Sequence, residues 1–295
     1  MYELIELSEQ AAYLNCPAKI GVYRCTPDAV YLVDSGSDKD AGRKIRQILD
    51  KQRWTLKGIL NTHSNADHIG GNRYLQTQTG CKIFAGGMEA AFTESPILEP
   101  SFLYGGYPCK ELRHKFLMAQ PSETAGFSDP DFPREVEVIP LPGHFLDMVG
   151  FRLPDGTVFL ADCVSSAATL EKYAVSFIYD VEAYLQTLDR VEAMDARMFV
   201  PSHADAASDI RALVQLNREK VHEIAALLLD LCREPQPFEE ILRGVFLSYH
   251  LAMNFEQYVL VGSTIRSYLS WLHDQGRLAV EFADGRLLWF ACING

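Results

Sequence analysis

The chain has 295 residues, enough for one large domain or for a domain with an appendage. Hydrophobic residues make up 48% and charged residues 22%, ordinary globular usage that leaves room for a sizeable core. With 27 Lys+Arg against 39 Asp+Glu, the net charge of −12 argues against a phosphate-backbone partner and for small-molecule substrates. The seven cysteines, Cys16, Cys25, Cys81, Cys109, Cys163, Cys232 and Cys292, are odd in number and contain no CxxC pair, which argues against a disulfide framework. "MYELIELSEQ" has neither a basic region nor a long apolar stretch, and no apolar run reaches the length of a membrane span. The expectation is a cytoplasmic protein with no membrane association.

In chain order, "KIGVYRC" and "AVYLVD" flank the turn signal "TPD" and predict a hairpin. "DSGSD" offers an N-cap for a helix near 40–53. "LKGILNT" reads as a buried strand ending at "NTHSNADHIGG", residues 61–71, and a helix is expected from Asp67 to about Thr79. "CKIFAG" is the next strand, and the alternation favours a layered α/β domain. Residues 93–134 break the rhythm with prolines and glycines yet carry Phe102, Leu103, Tyr104, Tyr107, Phe116, Leu117 and Met118. An aromatic segment of this length without regular pattern predicts a lid or pocket wall, or else a packed surface excursion.

"EVEVIPLPGH" resumes strand character and runs into His144. "MVGFRLPDGTVFLADC" is a hairpin ending at Asp162, and a helix near 181–195 precedes "ARMFVPSHAD", a strand ending at His203. Helical periodicity follows at "SDIRALVQLNREKVHEIAALLLDLCRE", then near 237–250 and 255–275, before the terminal hairpin "LAVEFADGRLLWFA". Helices followed by a β wing predict a winged-helix-like appendage. The division is residues 1–205 for the α/β domain, with 93–134 inserted, and 206–295 for a small, mainly helical region.

The ends of the predicted strands collect His63, Asn65, Asp67, His68, His144, Asp162 and His203. A zinc site needs neutral imidazoles and carboxylates drawn from several loops, and strand ends of a layered α/β domain are where loops converge. His114, His222, His250 and His273 lie outside this set. His114 sits in the inserted segment, within reach of a pocket there, but reads first as structural, and His222 and His273, at helical positions, read as surface or packing residues. Gly70 is expected to let its helix approach a neighbouring strand, and Cys163 to be a buried thiol.

The order "THSNADHIGG", "LPGH", "FLAD", "VPSH" resembles the metallo-β-lactamase superfamily over residues 20–205. The resemblance implies a four-layer αββα sandwich with one or two divalent ions at one edge, zinc first, then iron or manganese. It implies His63, His144 and the Asn65 position for one ion, Asp67, His68 and His203 for the other, and Asp162 bridging them. The sequence departs from the family pattern at Asn65, where a histidine is usual. An amide oxygen is a weak, hard donor where imidazole suits zinc better. Three outcomes stand open: both sites fill, only the second fills, or a harder metal is used.

The implied chemistry is hydrolysis by metal-activated water, with Asp67 as the catalytic carboxylate, on a small ester, thioester or amide. No G-x-S-x-G is present to suggest a serine nucleophile. Glyoxalase II-type thioesterases are similar in the core but carry the second histidine of the motif. The alternatives are an endoribonuclease or phosphodiesterase of the superfamily, and a non-catalytic metal-binding relative with a dimerising appendage. Residues 205–295 hold eight Lys/Arg and twelve Asp/Glu, so the appendage lacks the basic face of nucleic-acid winged helices. A homodimer stands open through Trp271, Leu272, Leu288, Trp289 and Phe290.

Overall fold

The computed structural model describes residues 2–292. Strands β1 (Glu3–Glu6), β2 (Ala11–Asn15), β3 (Ile20–Thr26) and β4 (Ala29–Val33) form an antiparallel meander. Helix α1 (Lys39–Gln52) then carries the chain to β5 (Thr55–Leu60), parallel to β4. The helix starts because Asp38 caps it, accepting from the Ala41 amide at 2.9 Å. Ala41, Ile45 and Leu49, spaced by four, form its buried stripe, and Arg53 in the left-handed region ends it.

Two helices, α2 (Ala66–Ile69) and α3 (Asn72–Thr79), lead to β6 (Lys82–Phe84), parallel to β5. The single helix expected from Asp67 to Thr79 is thus broken at Gly70–Gly71. The inserted segment is more regular than its composition implies. Helix α4 (Gly87–Glu94) runs into it, and α5 (Leu98–Tyr104) and a short 3-10 turn at Lys110–Leu112 lie within it. Pro100 is accommodated because it sits in the first turn of α5, where its missing N–H has no intrahelical partner to lose. Leu103, Leu112 and Leu117 are buried against Val259 near the other end of the chain.

The second sheet has the order β10–β9–β8–β7, from β7 (Glu137–Pro140), β8 (Val149–Arg152), β9 (Thr157–Ser165) and β10 (Met198–His203). Helices α6 (Ala167–Tyr173) and α7 (Val181–Glu192) connect β9 to its parallel neighbour β10. Strand β9 runs past Asp162 to Ser165, further than the hairpin reading placed it. The remainder is α8 (Arg211–Leu231), β11 (Gln236–Pro237), α9 (Phe238–Ser248), α10 (Phe255–Asp274), β12 (Leu278–Ala283) and β13 (Arg286–Ala291). The last three strands make a small sheet ordered β11–β13–β12.

Alternation along the strands sorts side chains into layers. Tyr23, Val33, Leu60 and Phe84 of the first sheet meet Phe151, Phe159 and Val200 of the second in the inner layer. Removing one buried ring here costs about 3–5 kcal/mol. Val22, Leu32, Ile59 and Ile83 face outward onto Ile45, Leu49 and Leu75 of α1 and α3. Val158 and Leu160 face outward onto Leu188 and Val214, in a cluster that continues to Ile265 and Tyr268 of α10. Helices therefore cover both outer faces, giving the four-layer αββα arrangement. Because β4 and β5 are parallel, their C-terminal ends emerge together, as do those of β9 and β10, and the side chains that follow the two pairs meet at one edge of the sandwich.

Candidate metal centre

Asp34 follows β4, His63 follows β5, Asp162 lies in β9, and His203 ends β10. Each strand delivers one group to the same edge. The α2–α3 corner is seated on the turn after β4 by its glycines. A Cβ on Gly70 would lie 2.2 Å from the Ser37 carbonyl carbon, and one on Gly71 would lie 2.3 Å from the Ser35 carbonyl oxygen. Such distances exclude any side chain. The corner is held by the Ser35 amide donating to the His68 carbonyl at 2.7 Å. Gly70 therefore approaches a loop rather than a strand, and His68 turns inward.

His144 is aimed by Gly143, whose φ is +119° and whose Cβ would lie 2.3 Å from the Tyr184 amide nitrogen. The Tyr179 and Asp180 amides donate to the Gly143 carbonyl at 2.9 and 3.0 Å, tying this loop to the start of α7. Asp162 follows Ala161, a non-glycine residue at φ +52°. The β9–β10 register slips at this level, between Val200 and Pro201 and again before His203. Backbone strain of about 1–2 kcal/mol is thus held where Asp162 leaves the pleat.

The side chains converge in two groups. Asp67, His68, Asp162 and His203 offer ligand atoms within 4.8 Å of one another, and so do His63, His144 and Asp162. Asp162 belongs to both. His68 Nε2 and His203 Nε2 each lie 3.1 Å from an Asp162 oxygen, and His203 Nε2 lies 3.4 Å from Asp67 Oδ2. His63 and His68 are fully buried, whereas the Asp67 side chain is 44% exposed and forms the mouth.

The other imidazole nitrogens are fixed from behind. The Thr62 hydroxyl donates its hydrogen to Asp34 Oδ2 at 2.7 Å, so it accepts from His63 Nδ1 at 3.0 Å. His68 Nδ1 donates to Asp34 Oδ2 at 2.8 Å, and His203 Nδ1 donates to the Pro17 carbonyl at 3.0 Å. Each ring thereby turns Nε2 toward the cluster, the arrangement that orients metal-binding histidines. His63 Nε2, His68 Nε2 and Asp162 Oδ1 are buried without an aligned hydrogen-bond partner. The 3.1 Å approach of His68 Nε2 to Asp162 Oδ1 is an ion-pair distance without hydrogen-bond alignment, as when two donor atoms aim at a third position. Orphaned nitrogens and oxygens converging on common points fit a divalent cation.

The electrostatics point the same way. Burial holds His63 well below the usual imidazole range, with the neighbouring His68 adding to the effect, and burial also lowers His144. For His68, burial is outweighed by the carboxylates of Asp162, Asp67 and Asp34, which hold it well above that range. Asp162 opposite His203 raises the latter to about 10 against burial. Burial pushes Asp162 and Asp67 upward, but the facing histidines prevail and keep both carboxyls ionised. The two facing carboxylates, Asp162 enclosed and Asp67 at the mouth, thus call for positive charge, which a divalent ion would supply in place of the imidazole protons.

Asn65 stands at the mouth of the first group. Its Oδ1 is 3.2 Å from His144 Nε2, and its Nδ2 donates to Glu99 Oε1 of α5 at 2.8 Å. Glu99 is 5% exposed, and burial raises its carboxyl well above the usual range against the Asn65 hydrogen bond. Glu89 of α4 links the two histidine loops. Its Oε2 accepts from the Ser64 amide and hydroxyl at 2.8 and 2.6 Å, and its Oε1 accepts from the Asp147 amide at 2.9 Å.

All seven candidate residues thus meet at one edge. Three supporting carboxylates, Asp34, Glu89 and Glu99, were not anticipated. Asp34 carried a signal, an acidic residue just past a strand parallel to the one preceding His63. Of the remaining histidines, His114 faces Glu256 of α10 at 3.7 Å, and His222, His250 and His273 are exposed, outside both groups. Cys163 is fully buried, and burial pushes its thiol upward. A cavity of about 650 Å³ lies between α1, α3 and residues 115–120, lined by Ser37, Asp38, Arg73, Tyr74 and Lys115 among others. None of the seven candidates borders it.

Residues 15–203 match the family model of the metallo-beta-lactamase superfamily, and the chain belongs to that superfamily. Its fold is similar to a beta-lactamase domain protein from Burkholderia ambifaria, with TM-score 0.72 and 17% identity, covering 98% of this chain and 94% of that one. It is similar also to a metallo-beta-lactamase family protein from Thermus thermophilus, with TM-score 0.71 and 16% identity, covering 99% and 98%. In sequence the chain is 24% identical over 212 residues to the beta-lactamase-like protein 2 homolog of Drosophila melanogaster, 64% of this chain and 65% of that protein. It is 30% identical over 141 residues to a hydroxyacylglutathione hydrolase of Hyphomonas neptunium, 47% of this chain and 41% of that one. The chain thus spans less than two thirds of the length of these curated relatives. Family, relatives and the His/Asp cluster together support a metal-dependent hydrolase.

Proposed function

We propose that the chain hydrolyses a small ester, thioester or amide, with thioesters preferred. His63, His144, Asp162 and Asn65 hold one divalent ion, zinc before iron or manganese, and Asp67, His68, Asp162 and His203 hold the other. The observation that carries this reading is the convergence of two ligand groups on a shared Asp162, with His63, His68 and His203 locked from behind. A divalent ion held by these residues would supply Lewis acidity, lowering the pKa of water toward neutrality.

The protein supplies position and exclusion. Asp67 lies at the exposed mouth with Oδ2 3.4 Å from His203 Nε2, and its carboxylate orients the attacking water by accepting a hydrogen bond from it. Fully buried His63 and His68 keep bulk water from the floor of the site. A thioester is preferred because the chain is similar to proteins named hydroxyacylglutathione hydrolase, and the thiol of glutathione is the group that carries an acyl chain as a thioester. Residues 206–295 form a winged-helix-like unit in this reading, supported by the order α8–β11–α9–α10–β12–β13. Their acidic balance suits support of the inserted segment, or pairing of two copies, rather than nucleic-acid binding. Among the described residues no helix is long and apolar enough to cross a membrane. In this reading the enzyme is cytoplasmic and acts on a small molecule.

The test is a panel of acyl thioesters, esters, amides, phosphodiesters and single-stranded RNA, each assayed with zinc, manganese and iron and again with EDTA. Thioester hydrolysis abolished by EDTA, Asp67→Ala and Asp162→Ala is expected. EDTA-sensitive RNA cleavage would replace this reading with a nuclease, and less than one metal equivalent in the purified protein would remove it.

A further inference from the structure

Asn65 and Glu99 are 34 positions apart, and neither belongs to a shared local motif. One lies just before α2 and the other in the first turn of α5, in the inserted segment. Yet the amide of one and the carboxyl of the other meet at 2.8 Å in a place that is nearly closed to solvent at Glu99. No Lys or Arg shares this carboxyl among the described ion pairs. Resting on the metal-centre reading above, we infer that Glu99 is a positioning residue that makes Asn65 a donor to the first ion.

A primary amide has two faces of opposite polarity, and an unrestrained asparagine can present either. Its oxygen binds a cation, whereas its nitrogen carries two hydrogens and repels one. Here the nitrogen is engaged by Glu99 Oε1, so Oδ1 is the pole left to face His144 Nε2, at 3.2 Å. His144 Nε2 is itself 3.8 Å from Asp162 Oδ2, which places the amide oxygen at the edge of the His63–His144–Asp162 group. The carboxyl acts in a second way. A hydrogen bond from an amide N–H to a carboxyl oxygen draws electron density toward the amide oxygen, strengthening it as a donor. Asparagine in place of histidine is thus offset by a partner from the inserted segment. This gives that segment a role at the site that does not require it to move.

Removing such an outer partner weakens metal binding about 10–100-fold. The test measures zinc binding to the full-length protein by competition with a chromophoric chelator, with equivalents counted by elemental analysis and folding checked by circular dichroism. Wild type is expected to bind two equivalents. Glu99→Met, apolar and of similar length, should weaken one of them about 10–100-fold and spare the other. Glu99→Gln, whose side-chain oxygen can still accept from Asn65, should restore most of the loss. The decisive arm is Asn65→His, which supplies its own imidazole: adding Glu99→Met in that background should cost less than about threefold.

An equal loss in both backgrounds makes Glu99 a structural residue and overturns the inference, as does an unchanged affinity in Glu99→Met. Wild type binding a single equivalent, unaffected at Glu99, overturns it while leaving the hydrolase reading in place. Wild type binding none removes both.

Discussion

Replacing Asp34 separates the role of the supporting carboxylates from that of the strands carrying them. Asp34 is 2% exposed and accepts from the Thr62 amide at 2.8 Å, the Thr62 hydroxyl at 2.7 Å and His68 Nδ1 at 2.8 Å. Its φ of +65° lies in the left-handed region, which asparagine tolerates and alanine does not. In Asp34→Asn the backbone is therefore kept, but whichever end takes the amide nitrogen, a donor faces a donor. Each lost bond to a charged acceptor costs about 1.5–3 kcal/mol. One or two such losses predict destabilisation of about 2–5 kcal/mol. Asp34→Gly loses these bonds, and that from Asn61 Nδ2 at 3.4 Å, but relaxes the backbone, and Asp34→Ala loses them and adds about 1–2 kcal/mol of strain. The expected order of urea midpoints is wild type, Asn, Gly, Ala. Zinc competition should show binding weakened about 10–100-fold in all three, because His68 is no longer held from behind. Asp34→Ala within about 0.5 kcal/mol of wild type, with unaltered zinc affinity, would refute the reasoning.

Gly70→Ala places a methyl 2.2 Å from backbone that cannot swing aside, and should cost about 3 kcal/mol or more. Gly80→Ala, at φ +71° with open space around it, should cost only about 1–2 kcal/mol, and equal melting temperatures for the two would contradict the seating of the α2–α3 corner. Burial raises Glu89 to about 7 from an ordinary 4.5, so the folded protein holds this proton more tightly than the unfolded chain. The resulting stability is fully present below pH 4.5 and is lost as pH rises through 7, at up to about 1.4 kcal/mol per unit. Urea unfolding from about pH 5 to 8 should show this decline in wild type and a flatter profile in Glu89→Gln, and a difference independent of pH would count against it. Stripping metal with EDTA should lower the melting temperature, since zinc at about a hundred times its dissociation constant adds about 2.7 kcal/mol to the native state. Superimposable melts with and without EDTA would show that the cluster binds no ion.

The candidate site is legible in the sequence where its residues are local. His63, Asp67 and His68 lie within one short stretch, and His144, Asp162 and His203 each fall in or just after a strand. The partners that set their orientation were not legible. Asp34 reaches His68, Glu89 reaches Ser64, and Glu99 reaches Asn65 across packed elements that no local pattern joins. Gly70 is a residue of close approach, as its place in the motif suggests, but it and Gly71 break one helix into two because of the loop they meet. The inserted segment reads as irregular because its helices are short and prolines and glycines interrupt the pattern, although a first-turn proline such as Pro100 does not break a helix.

The hydrophobic cluster joining Val158 and Leu160 to Ile265 and Tyr268 makes the two halves of the chain thermodynamic partners. Cutting after residue 205 would bare the outer face of the second sheet, including the apolar floor behind Asp162 and Cys163. The amino-terminal part would then face aggregation rather than independent survival. Heat should dismantle both parts in a single cooperative step, with the strands of the second sheet and the terminal helices lost at the same temperature.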